Sequence, residues 1–254
     1  MRRTSRVLIA VLAIAFVVAL AAVAARAARA QSTPEGPRPS GHEPGPPGHE
    51  HGHDADRHDA TVRHSFEDVE KWAEKFDDPG RAEWQKPDSV VAALPLGPGS
   101  VVLDIGAGTG YFNRAFAARV RPGGRVFAAD IEPAMIAHML ERARREATPE
   151  VFPLLVPPDE PRAPMPVDLV FICDTIHHID DRIEYLRKVR AILEPGGVVA
   201  VVDFKPGDIP VGPPPEHRIA RDLVIEEMAA AGFRLDREET FLPYQYMLLF
   251  TIRN

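Results

Sequence analysis

Apolar positions change their pattern several times along the chain. An uninterrupted apolar run from Val7 to Ala25 follows Arg2, Arg3 and Arg6 and leads into Ala28-Arg29-Ala30. Residues 31–60 carry almost no aliphatic side chains, and such a segment cannot bury enough surface to offset its chain entropy. From Ser65 the spacing turns helical: Phe66, Val69, Trp72, Ala73 and Phe76 share a face, and Asp77-Asp78-Pro79-Gly80 supplies the stop. Trp84 and the stretch Pro87 to Leu94 predict a second short helix, ending at Pro95-Leu96-Gly97-Pro98-Gly99. Beyond that turn, strands are predicted over 101–105, 125–130, 151–156, 167–173 and 198–204, and helices over 111–120, 133–147 and 182–193. Continuously apolar strands alternating with helices predict an α/β fold with a parallel sheet covered on both faces. The end of the chain differs. A helix over 216–231 stops at Gly232, and strands over 233–240 and 244–252 are joined only by the turn around Leu242-Pro243. A parallel crossover needs about a dozen residues, so these two strands must form an antiparallel hairpin.

The N-terminal pattern reads as an export signal: a basic start, an apolar stretch, and small residues before a cut after Ala30. The run is also long enough to cross a bilayer, so an uncleaved anchor is the alternative, with the N-terminus in the cytoplasm. Both readings place the protein outside the cytoplasm, either exported (periplasmic or extracytoplasmic) or anchored in the inner membrane. Residues 31–64 form a linker rich in His, Pro and Gly. Six of the ten histidines lie in it, namely His42, His49, His51, His53, His58 and His64. They can chelate a divalent metal weakly, or the segment is a plain solvated tether. Residues 65–96 then make a helical cap and residues 97–254 the main domain.

Composition narrows the function. Hydrophobic residues make up 45% and charged residues 26% of the 254-residue chain, which suits a packed globular core. The lone Cys173 excludes an intrachain disulfide and a thiolate metal cluster, and no metal site is expected in the domain. The first 30 residues hold five arginines and no acid, so the rest is more acidic than the formal net charge of −7 implies. Nucleic acid is therefore not the expected partner.

The chemistry centres on Val101-Val102-Leu103-Asp104-Ile105-Gly106-Ala107-Gly108-Thr109-Gly110, a glycine-rich turn between a strand and a helix. Glycines there let the backbone come close to a ligand at the carboxyl ends of the strands. A dinucleotide fingerprint has G-x-G-x-x-G, whereas the spacing here is G-x-G-x-G. Asp104 would repel a pyrophosphate and attract a cationic ligand, which disfavours a nicotinamide-dependent oxidoreductase. Twenty residues past Gly110, Asp130 ends the next strand, where a carboxylate can accept both hydroxyls of a ribose. A ribose beside a cationic centre points to S-adenosylmethionine.

On VLDIGAGTG, AADIEPAMI, DLVFICDTIHHIDD and LEPGGVVAVVDF, the chain resembles the class I S-adenosylmethionine-dependent methyltransferases, in particular a small-molecule group that includes quinone-biosynthesis proteins. The resemblance covers roughly residues 87–252. It implies a Rossmann-like seven-stranded sheet of order 3-2-1-4-5-7-6, mostly parallel with a terminal antiparallel hairpin and helices on both faces. It assigns Asp104, Gly106, Gly108 and Gly110 to the methionyl part, Asp130 to the ribose and Asp159 to the adenine amine. Pro157-Pro158-Asp159-Glu160-Pro161 departs from the usual pattern at that last position. The arsenite branch of the group needs several cysteines and does not fit. After the fourth expected strand, Asp174 either touches the cofactor or caps the next turn. His177 or His178 either serves as a general base or is part of the architecture. Glu216-His217-Arg218 either lines the acceptor pocket or opens a helix, and the cap is expected to set acceptor choice. The expected activity is methyl transfer to a small-molecule acceptor. The alternative is an exported protein that binds an adenosyl ligand or a metal without turnover.

Overall fold

The computed structural model describes residues 69–253. The expected signal or anchor, the linker with its metal-binding histidines, and the cap residues before Val69 lie outside these described residues. Among the described residues no helix is long and apolar enough to cross a membrane.

Three short helices come first: α1 (Val69–Phe76), α2 (Arg81–Gln85) and α3 (Pro87–Ala93). Asp78 accepts the Gly80 N–H at 2.6 Å in the turn that ends α1. Lys86 takes the left-handed conformation between α2 and α3, so the region expected as one short helix is two. The alternating part follows as β1 (Val101–Ile105), α4 (Asn113–Val120), β2 (Arg125–Asp130), α5 (Pro133–Glu146), β3 (Val151–Leu155), β4 (Val167–Cys173), α6 (Arg182–Ile192), β5 (Leu193–Phe204), α7 (Arg221–Ala230), β6 (Phe233–Glu239) and β7 (Gln245–Ile252).

The seven strands form one sheet of order β3-β2-β1-β4-β5-β7-β6. Strands β1 to β5 pair in parallel, and β7 runs antiparallel to both β5 and β6. Side chains of successive strand residues point to opposite faces, and the core divides accordingly. Leu103, Ile105, Val170, Ile172 and Val201 pack with Leu186 and Val189 of α6 and with Val224 and Met228 of α7. Val102, Leu169, Phe171 and Val202 pack on the other face with Val90 and Val91 of α3, Phe116 and Val120 of α4 and Met139 of α5. Both faces are therefore covered, as continuously apolar strands require. Of the cap, α3 is part of this core, whereas α1 buries no residue fully.

One predicted element breaks in two. The continuous helix expected over 216–231 is a single 3-10 turn at Pro215–His217, an extended link, and then α7. Ile219 in the link is buried in the core, and its carbonyl accepts the Tyr246 hydroxyl at 3.2 Å. Arg218 donates from Nε to the Pro213 carbonyl at 2.8 Å. These tertiary contacts outweigh local helical periodicity.

Candidate active site

A cleft of about 460 Å³ opens along the carboxyl ends of β1, β2, β4 and β5 and under α1 and α2. Open α/β sheets bind ligands at this edge, beside the point where strand order reverses. Its floor is the loop after β1. Gly106, Gly108 and Gly110 have φ of +70°, +56° and +79°, a region that side chains with a Cβ adopt at a cost. At Gly106 a Cβ would also stand 2.3 Å from Thr175 Oγ1, and at Gly110 one would stand 2.4 Å from Asn113 Nδ2. At Gly108 the nearest group is the Phe76 ring at 3.7 Å, so this part of the loop offers bare backbone to a ligand. Gly106 and Gly108 line the cleft, whereas Gly110 does not: it lets the start of α4 pack against the loop.

Asp130 closes β2 and lines the cleft. Its Oδ2 accepts the Gly108 N–H at 2.8 Å and its Oδ1 the Glu132 N–H at 3.0 Å. Burial raises its pKa, and those backbone N–H groups partly offset the rise. These backbone N–H groups orient the carboxylate without using all of its lone pairs, so it can still accept from a ribose hydroxyl. Asp104 in β1 is 3% exposed and lines the same cleft. Burial pushes its carboxyl up to about 7; the Asp130 charge adds to the rise and Arg81 opposes it. A cation in the cleft would restore its ionisation.

The cap is tied to this floor at two places. Asp77, just after α1, accepts two bonds from Arg142 Nη1 at 2.8 and 2.9 Å, and one from the Thr109 hydroxyl at 3.1 Å. Arg142 Nη1 also donates to the Thr109 carbonyl at 3.1 Å, so one ion pair joins the cap, the glycine loop and α5. Arg81 in α2 donates to Asp174 Oδ2 at 3.2 Å, and its guanidinium lies 4.2 Å from the Tyr111 ring centre. Asp174 also accepts from Gln245 Nε2. Gln85 Nε2 in turn donates to Gln245 Oε1 at 2.7 Å and to Cys173 Sγ at 3.3 Å. Burial holds the Asp174 carboxyl at about 7, against the opposing charge of Arg81. Asp174 lines the cleft, and both its oxygens are engaged in bonds that tie the cap to the sheet. Gln85, Gln245 and Arg81 gave no sequence signal, because each acquires its partner only in three dimensions.

Of the two candidate bases, His177 is 3% exposed, and its Nδ1 lies 2.8 Å from Asp203 Oδ2 and 3.1 Å from Oδ1. Asp203, at the end of β5, is fully buried and also accepts the Phe204 N–H at 2.7 Å. Burial works against protonation of His177, but the Asp203 charge and hydrogen bond outweigh it and raise its pKa. The His178 ring packs 4.2 Å from that of His177, and both line the cleft. Asp203 was not singled out from sequence; an acid at the carboxyl end of an apolar strand was the available signal. Cys173 is buried and its thiol is pushed well above its ordinary range by burial, consistent with an unreactive core residue.

Two expectations change here. Asp159 is exposed and does not line the cleft; its backbone carbonyl accepts Lys188 Nζ at 2.9 Å. Val156 and Pro158 form the wall at that position. Of Glu216-His217-Arg218, only His217 lines the cleft. Apolar surface supplies most of the remaining wall: Trp72 stacks on Phe76 with centroids 5.3 Å apart, and Trp84 lies 5.7 Å from Phe204. Among the described residues no group of three or more His, Cys, Asp or Glu is placed to hold a metal ion.

Strand order and the glycine floor with Asp104 and Asp130 beside it are the arrangement expected of a class I S-adenosylmethionine-dependent methyltransferase domain. Comparison with known proteins agrees: a family model described as a methyltransferase domain matches residues 103–199. A ubiquinone/menaquinone biosynthesis C-methyltransferase of Bordetella avium is 34% identical over 119 residues, covering 46% of this chain and 45% of that protein. The erythromycin 3''-O-methyltransferase of Saccharopolyspora erythraea is 24% identical over 200 residues, covering 70% and 65%. The chain thus spans about half the length of the quinone-pathway relative it matches. In structure it superposes on a SAM-dependent methyltransferase from Aquifex aeolicus with a TM-score of 0.68 and 27% identity, covering 73% of this chain and 98% of that one. Residues 103–199 thus carry a methyltransferase domain, and the surrounding fold is that of the S-adenosylmethionine-dependent methyltransferases, with S-adenosylmethionine as the cofactor of the domain.

Proposed function

We propose that this protein transfers a methyl group from S-adenosylmethionine to a small-molecule acceptor, outside the cytoplasm. The observation that carries the transfer reading is the oriented Asp130 carboxylate beside bare Gly108 backbone, with Asp104 facing the same space. Asp130 would take the ribose hydroxyls, Gly106 and Gly108 would admit the methionyl chain, and Asp104 would meet its ammonium. Bound S-adenosylmethionine supplies a methyl group on a positively charged sulfur, which an acceptor displaces in line. The protein's part is to fix donor and acceptor in that line and to exclude water. The aromatic underside of the cap suits an acceptor with apolar surface. Incubation with methyl-labelled S-adenosylmethionine and an extract of apolar metabolites tests the activity. Label is expected in an extractable product with the intact protein and much less of it with Asp130→Ala at limiting donor; equal labelling by both would count against the site.

The location rests on the basic, apolar and small-residue order of residues 1–30. A reporter active only outside the cytoplasm, fused after Asn254, is expected to be active, and activity confined to a cytoplasmic reporter would contradict the export reading. The histidine-rich residues 31–64 would bind zinc or copper weakly. Deleting residues 31–60 is expected to abolish metal binding in calorimetry and leave S-adenosylhomocysteine affinity unchanged. Metal affinity retained by the deletion would move the ligands into the domain.

A further inference from the structure

The buried pair at the end of β5 carries the reading of the site further, resting on the proposed methyl transfer. We propose that His177 is a general base positioned by Asp203, and that the acceptor is a hydroxylated aromatic molecule. Asp203 lies 2.8 Å from Nδ1 of His177 and has its other oxygen fixed by the Phe204 N–H at 2.7 Å. A neutral imidazole facing a carboxylate carries its proton on that nitrogen. The lone pair is then on Nε2, and His177 is part of the cleft wall. A fully buried carboxylate is costly unless charged or hydrogen-bonding partners compensate it, and His177 and the Phe204 N–H are the partners Asp203 has.

A base is required only by an acceptor that must lose a proton to become a nucleophile. A neutral amine attacks without one, so a built base favours a hydroxyl. Trp72, Phe76, Trp84, Tyr111, Phe112 and Phe204 line the cleft, and flat rings prefer such walls. Hydroxyl and aromatic ring together describe a phenol. In the transfer, the hydroxyl proton passes to Nε2 and the oxygen electron pair forms the new bond to the methyl carbon. The electron pair of the breaking carbon–sulfur bond stays on sulfur, giving S-adenosylhomocysteine and an imidazolium stabilised by Asp203. That proton then leaves to solvent. Asp203 on β5, Asp174 after β4, Arg182 on α6 and the neighbouring His178 ring are the charged and titratable groups that face or approach His177. The two carboxylates favour its protonated form and Arg182 opposes it, so activity should fall on the acid side of the His177 titration.

The test uses the full chain, methyl-labelled S-adenosylmethionine, and catechol, 3,4-dihydroxybenzoate and a naphthoquinol as probes against aniline and thiophenol. Transfer to hydroxylated probes is expected. His177→Asn should lower kcat about 100-fold or more at pH 7, with the deficit shrinking toward pH 10, where phenols ionise unaided. S-adenosylhomocysteine affinity should change less than threefold in His177→Asn and Asp203→Asn; failure of the wild type to bind it would overturn the cofactor reading instead. Product analysis separates transfer to oxygen from transfer to the ring carbon beside it, which the same deprotonation activates; either product supports the base. Nitrogen-15 NMR of labelled histidine reads Asp203 without any acceptor. Neutral His177 is expected as the Nδ1–H form in the wild type, with the tautomer population altered and the pKa lowered in Asp203→Asn. Label on aniline or thiophenol alone, no transfer to any hydroxylated probe, an unchanged pH profile in His177→Asn, or an Nε2–H tautomer in the wild type would each overturn the proposal.

Discussion

Asp104 makes cofactor affinity depend on pH in a direction that can be worked out in advance. In the free protein its carboxyl titrates at about 7 instead of 3.8, chiefly because burial penalises the charge. Pairing with the methionyl ammonium requires the carboxylate, so binding expels the proton and affinity rises with pH. For Asp104, the carboxylate expected to pair with the ammonium, each pH unit below about 7 costs about 1.4 kcal/mol. Between pH 7 and pH 5, S-adenosylhomocysteine should therefore bind about 50-fold more weakly, over a range in which its amine stays charged. Isothermal titration at both pH values, repeated in buffers of different ionisation enthalpy, reads the affinity and the released proton together. Asp104→Asn should bind weakly at both pH values, with the slope largely gone. The same shift acts on the free protein. A group whose pKa is raised by folding stabilises most below its ordinary value, and that contribution is lost as pH rises through about 7. Asp104→Asn should accordingly melt above the wild type at pH 8 and not at pH 4. Affinity that is flat from pH 5 to 7, or a slope that persists in Asp104→Asn, would refute the assignment of Asp104.

Further substitutions test the rest of the site. Asp130→Ala should weaken S-adenosylhomocysteine binding by about 1 to 3 kcal/mol through lost hydrogen bonds, measured by calorimetry. Gly106→Ala combines a positive φ with a Cβ 2.3 Å from Thr175 Oγ1 and should lower stability by about 1 to 3 kcal/mol in urea titration while abolishing tight binding. Arg142→Ala removes the partly buried pair that holds Asp77 to the glycine loop; a loss of about 1 kcal/mol would speed S-adenosylhomocysteine release about fivefold in stopped-flow measurements.

Legibility in the sequence follows how local each cause is. The β1 and β2 boundaries match the expected 101–105 and 125–130, because continuous apolar runs bounded by turns need no tertiary information. The antiparallel end of the sheet was legible for the same reason: the link after β6 is too short for a crossover. The helix expected over 216–231 was misjudged where Ile219 leaves the local pattern to enter the core. That Asp104, Gly106, Gly108 and Asp130 meet in one cleft was legible because a strand, a tight turn and a spacing place them together. The Arg81–Asp174–Gln245–Gln85 network was not, since its members come from α2, the end of β4 and β7. Asp159 lies outside the cleft, in the loop after β3, whose course the local pattern does not set.

The central claim is that the cleft beneath the cap holds the adenosyl donor on Asp130 and Asp104. Calorimetric titration of the full chain with S-adenosylhomocysteine, with NAD as the competing ligand, tests it most directly. One S-adenosylhomocysteine is expected to bind per chain, NAD is expected to give no heat, and Asp130→Ala is expected to weaken the binding. Binding of NAD in place of S-adenosylhomocysteine, or an S-adenosylhomocysteine affinity untouched by Asp130→Ala, would contradict the account.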